Sequence, residues 1–169
     1  MTSVTPPQNR IYLLRHAKSG WAQPGERDFD RALNDAGRQE AASVAEQAIE
    51  RGYRPDLIVS STARRCRETA DAFRGAYATR TEFRYLDELY NCPADSYFDI
   101  LGALKDYGSV MLVGHNPSIE EALFLLAGSE AAQAAVPEGF PTAGLAVLDR
   151  AAGVTPDNSA WMLADFLAG

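Results

Sequence analysis

A chain of 169 residues is long enough for one domain that buries roughly 70% of its unfolded surface. Hydrophobic residues make up 46% and charged residues 23%, which excludes a disordered chain, a collagen-like repeat and a miniature disulfide scaffold. The formal net charge of -7 argues against a nucleic-acid or anionic-membrane binder and, averaged over the chain, against an anionic substrate.

Residues 1–9 are polar, contain Pro6-Pro7 and read as a flexible N-terminal arm, with residues 10–169 as a single domain. Arg10 to Leu14 is a short apolar run that predicts a buried strand. Residues 18–35, with Gly20, Pro24, Gly25 and several Asp, read as a loop. Gly37 to Arg51 carries Ala41, Val44, Ala45, Ala48 and Ile49 at helical spacing, and Gly52 follows as a stop. Leu57 to Val59 is a second strand. Arg65 to Tyr77 reads as a helix with Ala70, Phe73, Ala76 and Tyr77 on one face. Phe83 to Leu86 is a third strand, Ser96 to Tyr107 a helix, and Val110 to Val113 a fourth strand. Pro117 to Ala127 is a helix with proline in its first turn, where a missing N–H costs nothing. Residues 128–141 read as a loop, and 143–149 and 160–166 as a late pair of strands. Strands alternating with helices imply an α/β fold, a three-layer sandwich whose mostly parallel central sheet is flanked by helices.

Cys66 and Cys92 are the two cysteines, and no apolar run precedes the domain as a leader or is long enough to span a bilayer. Two reduced thiols and a cytoplasmic location are expected. His16 and His115 are the two histidines, too few for a multi-histidine metal site, so no cofactor or metal is expected.

Three strands end abruptly in polar residues: Leu14-Arg15-His16-Ala17-Lys18-Ser19, Val59-Ser60-Ser61-Thr62-Ala63-Arg64-Arg65 and Val113-Gly114-His115-Asn116-Pro117. Ligands of open α/β sheets bind outside the carboxyl ends of the strands, and both histidines fall there. The chemistry that fits is phosphoryl transfer to a histidine, since a neutral imidazole is a good nucleophile whose phosphorylated form water then resolves. Arg15 and Arg65 would pair with the phosphoryl oxygens, His115 and the helix start after it would add donors, and the like charges would hold His16 neutral. Plainer readings stand beside this one. A histidine after a strand is commonly a polar loop residue, Arg64, Arg65 and Arg67 could form a solvated helix face, and Gly114 to Pro117 could be a turn. Periodicity alone leaves both open.

Leu14-Arg15-His16-Ala17 resembles the Arg-His-Gly signature of the histidine phosphatase superfamily. Ser60-Ser61 followed by Arg65 and Thr69-Ala70 resembles its second block, and Val113-Gly114-His115-Asn116 its third. Arg31, Leu33 and Gly37 are similar to its Arg-x-Leu-x-x-x-Gly stretch. The resemblance spans residues 10–150, in the phosphoglycerate mutase-like fold, and points to the small SixA-type branch, the phosphohistidine phosphatases. It implies that His16 is the phospho-accepting nucleophile and that Arg15, Arg65 and His115 form the phosphate pocket. It brings Arg31, Ser19 and Asn116 to the same pocket, with Lys18 as a further candidate, and it offers Glu88 as general acid, with Asp87 as runner-up. Ala17 stands for the usual Gly, and Ala22 stands where mutase-like members often hold an Asn that contacts phosphate. Only residues 89–114 separate Glu88 from His115, where mutases insert a long lid, so an open site is implied.

The expected activity is a metal-independent hydrolase, a phosphatase that passes through a phosphohistidine intermediate and acts on protein phosphohistidine. The alternatives are a small-molecule phosphomonoesterase of the same superfamily and a phosphate-binding module without turnover. The expected partner is a phosphate-bearing substrate, with neither nucleic acid nor membrane involved.

Overall fold

The computed structural model describes residues 9–77, 80–151 and 161–169. Residues 1–8 of the expected N-terminal arm, the side chain of Ala76 and residue Ala160 lie outside the described residues.

Among the described residues six strands form one sheet: β1 Arg10–Arg15, β2 Leu57–Ser61, β3 Glu82–Leu86, β4 Ser109–Gly114, β5 Leu145–Arg150 and β6 Trp161–Leu167. Their order is β3-β2-β4-β1-β5-β6. The pairs β1/β4, β2/β4 and β2/β3 are parallel, while β5 runs antiparallel to both β1 and β6. The parallel strands are joined through helices, as parallel pairs require.

Successive side chains on a strand face opposite ways, so each central strand feeds two cores. Tyr12 and Leu14 of β1, with Ile58, Met111 and Val113, pack against Ala41, Val44, Ala45 and Ala48 of α1 Asp35–Glu50 and Cys66 and Ala70 of α2 Arg64–Asp71. Ile11 and Leu13, with Leu57, Val59, Val110 and Leu112, pack against Tyr97 and Leu101 of α4 Ala94–Gly102 and Ile119, Leu123 and Leu126 of α5 Ser118–Ala127. The result is the expected three-layer sandwich. Among the described residues no helix is long and apolar enough to cross a membrane.

Several boundaries differ from the pattern reading. The helix expected over 65–77 is two: α2 ends at Asp71, and α3 covers Arg74–Tyr77. Tightened bonds at the joint, from the Ala72 and Phe73 amides to the Thr69 and Ala70 carbonyls, turn the chain while Phe73 and Tyr77 stay buried. An apolar stripe continues across such a joint and hides it. The loop expected over 128–141 contains a helix, α6 Ser129–Ala135. Gly128, with a φ of 88°, separates it from α5, and its alanines are strong helix formers. The α1 helix begins two residues before Gly37, capped by Asn34, whose side chain accepts from the Gly37 amide at 2.8 Å. The helix expected over 96–107 starts earlier, at Ala94, and stops at Gly102. Strand β5 starts at Leu145, because Ala143 sits in the left-handed region with a φ of 56°.

Candidate active site

Strands β1 and β4 are paired neighbours, with Arg15 opposite Gly114. The next residues, His16 and His115, therefore leave the sheet side by side, their ring centroids 5.4 Å apart. The His16 amide donates to the Gly114 carbonyl at 3.0 Å, which fixes the crossing. Beyond β4 in the sheet, β2 ends at Ser61, and the turn after it leads into α2, where Arg65 is only 5% exposed. Sequence-distant strand ends thus deliver both histidines and both arginines to one place. They line a pocket of about 390 Å³ with Lys18, Ser19, Arg31, Asn91, Asn116 and Thr142.

His16 is buried, and its Nδ1–H donates to the Ala17 carbonyl at 2.7 Å. That bond leaves Nε2 as the nitrogen with the free lone pair. Burial pushes its pKa down to about 3, with His115, Arg65 and Arg15 adding smaller repulsions against the donation to Ala17. The neutrality expected from the arginines is present, but removal from water is its larger cause. The Ala17 amide donates to the Thr69 hydroxyl at 2.9 Å, so the Thr69-Ala70 block anchors the turn that carries His16.

His115 is held on every side. Its Nε2 is hydrogen-bonded with the Ser61 hydroxyl at 2.9 Å, with the Cys66 sulfur 3.4 Å from the same nitrogen. Arg65 Nη2 approaches its Nδ1 at 3.4 Å, and its amide donates to the Tyr97 hydroxyl at 3.1 Å. Burial, then the Arg65 charge, lowers its pKa to about 4. Gly114 is required for this arrangement: a Cβ there would lie 1.9 Å from the Tyr97 hydroxyl oxygen.

The arginines are partly occupied and partly open. Arg15 Nη1 donates to the Phe140 carbonyl at 2.9 Å, and Arg65 Nη1 to the Asp28 carbonyl at 2.9 Å. Nε of each is buried without a protein partner among the described residues. Two arginines that line a polar pocket, each with a guanidinium nitrogen left unpartnered, fit an oxyanion. Asn116 donates to the Phe140 carbonyl at 3.0 Å. Arg31 reaches the pocket and donates to Ser19 at 3.0 Å and to the Gly20 carbonyl at 2.8 Å. Ser19 and Lys18 also line it.

Glu88 is different. It stands exposed on a short 3₁₀ turn, Asp87–Leu89, and does not line the pocket. Asp87 accepts from the Thr62 hydroxyl. The carboxylate that does reach Arg65 and Arg31 is Asp28, which no motif in the sequence marks. It accepts from Arg65 at 3.1 Å, Arg31 at 2.9 Å and the Tyr90 hydroxyl at 2.7 Å. Its spacing three residues before Arg31 was the available signal. The end of the 128–141 loop borders the site through the Phe140 carbonyl and is followed by Thr142, whereas a backbone carbonyl leaves no mark in a sequence.

Residues 11–97 match the family described as histidine phosphatase superfamily, branch 1. A solved structure from Agrobacterium tumefaciens, provisionally named phosphohistidine phosphatase SixA, is 50% identical with a TM-score of 0.87, over 96% of this chain and 99% of that one. Another from Nakamurella multipartitia, provisionally named likewise, is 29% identical with a TM-score of 0.73, over 96% and 97%. A chloroplastic protein of Arabidopsis thaliana without an assigned function is 33% identical over 74% of this chain, which spans 62% of that relative's length. The strand-end histidines and arginines, the sheet order and these similarities agree: the chain belongs to the histidine phosphatase superfamily and is of its SixA type.

Proposed function

We propose that the chain is a phosphatase that takes the phosphoryl group of protein-borne phosphohistidine onto His16 and releases it to water. The observation that carries this reading is a neutral His16, its Nδ1 engaged by the Ala17 carbonyl, in one pocket with two buried arginines. In the first step Nε2 attacks phosphorus, the P–N bond to the substrate imidazole breaks, and its electron pair returns to that imidazole. Arg15 and Arg65 neutralise the charge on the equatorial oxygens, and His115 stands beside them. Positive charge for the transfer therefore comes from the chain itself. In the second step a water oxygen attacks phosphorus, the bond to His16 breaks, and inorganic phosphate leaves.

Glu88 takes no part in this scheme. An imidazole protonated on its other nitrogen departs without an added acid, whereas an alkoxide needs one. The short stretch 89–114, where mutases carry a long lid, suits a phosphoryl group displayed on a folded partner, and the provisional SixA names of the similar structures support the same substrate class.

The test is phosphate release from a phosphohistidine carrier protein, run beside a panel of sugar phosphates and nucleotides. His16→Ala lowers release by about four orders of magnitude, to background, and acid-labile phosphate is trapped on His16 in the wild type. Efficient hydrolysis of one metabolite with none of the carrier would assign the small-molecule reading instead. Binding without turnover would leave a phosphate-binding module.

A further inference from the structure

Beside the pocket, behind His115, Arg65 and Arg31 of its lining, stands an aromatic pair with a carboxylate. Phe29 and Tyr90 pack edge to face at 5.1 Å, and Tyr90 in turn meets the His115 ring at 5.6 Å. The Asp28 carboxylate sits at the end of this aromatic pair, held by the Tyr90 hydroxyl and by Arg65 and Arg31, which both line the pocket. Its side chain is 52% exposed, so it stays open to solvent beside the two pocket arginines that it holds. Aromatic rings, whose faces attract cations, beside a carboxylate are the chemistry that recognises a planar ring bearing an N–H and positive charge.

We infer that Asp28, Tyr90 and Phe29 form a leaving-group subsite for the imidazole ring of a phosphoramidate, with Asp28 accepting the N–H of the nitrogen that does not carry phosphorus. The inference rests on the phosphohistidine reading above and assigns residues to its specificity. When His16 Nε2 bonds to phosphorus, the P–N bond breaks and its electron pair stays on the departing nitrogen. The distal N–H, retained throughout, keeps donating to Asp28, and a neutral imidazole leaves. No proton moves through Asp28. Its surroundings agree with that role: partial burial would raise its pKa, but the Tyr90 hydroxyl and the Arg65 and Arg31 charges outweigh this and bring it to about 2. An anion at every working pH cannot hand a proton to an alkoxide, but it stabilises an imidazolium.

The plainer reading is that Asp28 only positions Arg65, and the two differ in what they do to substrates that share Arg65. The experiment compares kcat/KM for N-phosphoimidazole with that for 4-nitrophenyl phosphate, whose phenolate leaves unprotonated. In Asp28→Asn the ratio of the two falls about tenfold or more, the size of a lost hydrogen bond to a charged group. Tyr90→Phe keeps the ring but removes the hydroxyl that holds the carboxylate, and lowers the same ratio. An equal loss on both substrates, or an unchanged or increased ratio in either variant, overturns the subsite and leaves the phosphohistidine reading intact. Failure of the wild type to cleave N-phosphoimidazole, while it cleaves 4-nitrophenyl phosphate, removes both.

Discussion

His16 and His115 are kept neutral by different mixtures of the same two forces, and this has consequences that can be measured. Burial dominates at each, and the Arg65 charge ranks second at His115 but behind other causes at His16. In an NMR titration, His16 stays unprotonated down to about pH 3. Arg65→Ala raises that value only part of the way to about 6.5, the ordinary value, because burial remains. A His16 that titrates like a free imidazole, or one indifferent to Arg65→Ala, contradicts the pocket. The same shifts bear on stability. Both folded pKa values lie below the unfolded one, so between about pH 6.5 and the folded values the unfolded chain binds protons that the native chain does not. Stability is therefore full near neutrality and falls as pH drops through that window, with a slope of about one proton per histidine at most. Asp28, depressed to about 2, adds a separate loss below its ordinary value of 3.8. Melting temperature followed from pH 7 to 4, with His16→Asn as comparison, checks this: the variant has the shallower slope. Of the four residues at the centre of the proposed site, Arg15, His16 and His115 were legible because each sits directly at a strand end, and Arg65 because it lies in the first turn of the helix after one, all in recurring local patterns. Asp28 and Tyr90 were not, since their meaning comes from a contact between two loops 62 positions apart in the chain.

At the level of elements, the site depends on how α1 approaches the loop that leaves β1. The first turn of α1 presses Gly37 against the Lys18 backbone, and a Cβ at residue 37 would lie 1.9 Å from the Lys18 carbonyl oxygen. That oxygen also accepts from the Asn34 amide at 3.1 Å, and Ser19 bridges to Leu33. Gly37 is thus a contact residue between helix and loop, a physical reason for the glycine in the Arg-x-Leu-x-x-x-Gly stretch. Gly37→Ala should cost about 1–3 kcal/mol and lower turnover, because the backbone clash displaces the loop that carries Lys18 and Ser19. Asn34→Ala removes the cap alone and costs about 1 kcal/mol. Denaturant unfolding beside turnover separates the two, and equal loss of activity in both variants would count against the contact. Element existence was readable wherever a long apolar period persisted, as in α1 and β4. The division between α2 and α3 and the presence of α6 were not. In the first case packing of Phe73 and Tyr77 preserved the stripe through a bend, and in the second Gly and Pro at the loop ends masked a run of alanines.

Over the whole molecule, the average charge and the site charge have opposite signs. The chain carries -7, yet Arg15, Lys18, Arg31 and Arg65 converge on one pocket. Composition could not foresee this, because four cations drawn from separate stretches vanish in a total. Which field a substrate feels depends on its size and on ionic strength. The Debye length is about 30 Å at 0.01 M and about 8 Å at 0.15 M salt. A small phosphate dianion reacts at the pocket itself, where the nearest charges are cationic, so added salt screens an attraction. An acidic phosphoprotein must first bring its own surface against that of an acidic molecule, so at low salt the long-range repulsion comes first. The two substrates should therefore respond to salt in opposite directions. From 0.01 to 0.15 M, kcat/KM for a small phosphoramidate declines, whereas kcat/KM for an acidic phosphohistidine carrier rises, each by about threefold to tenfold. A decline for both would mean that the basic pocket governs encounter even for proteins. A rise for both would mean that the acidic exterior reaches into the site, which the convergence of four cations argues against.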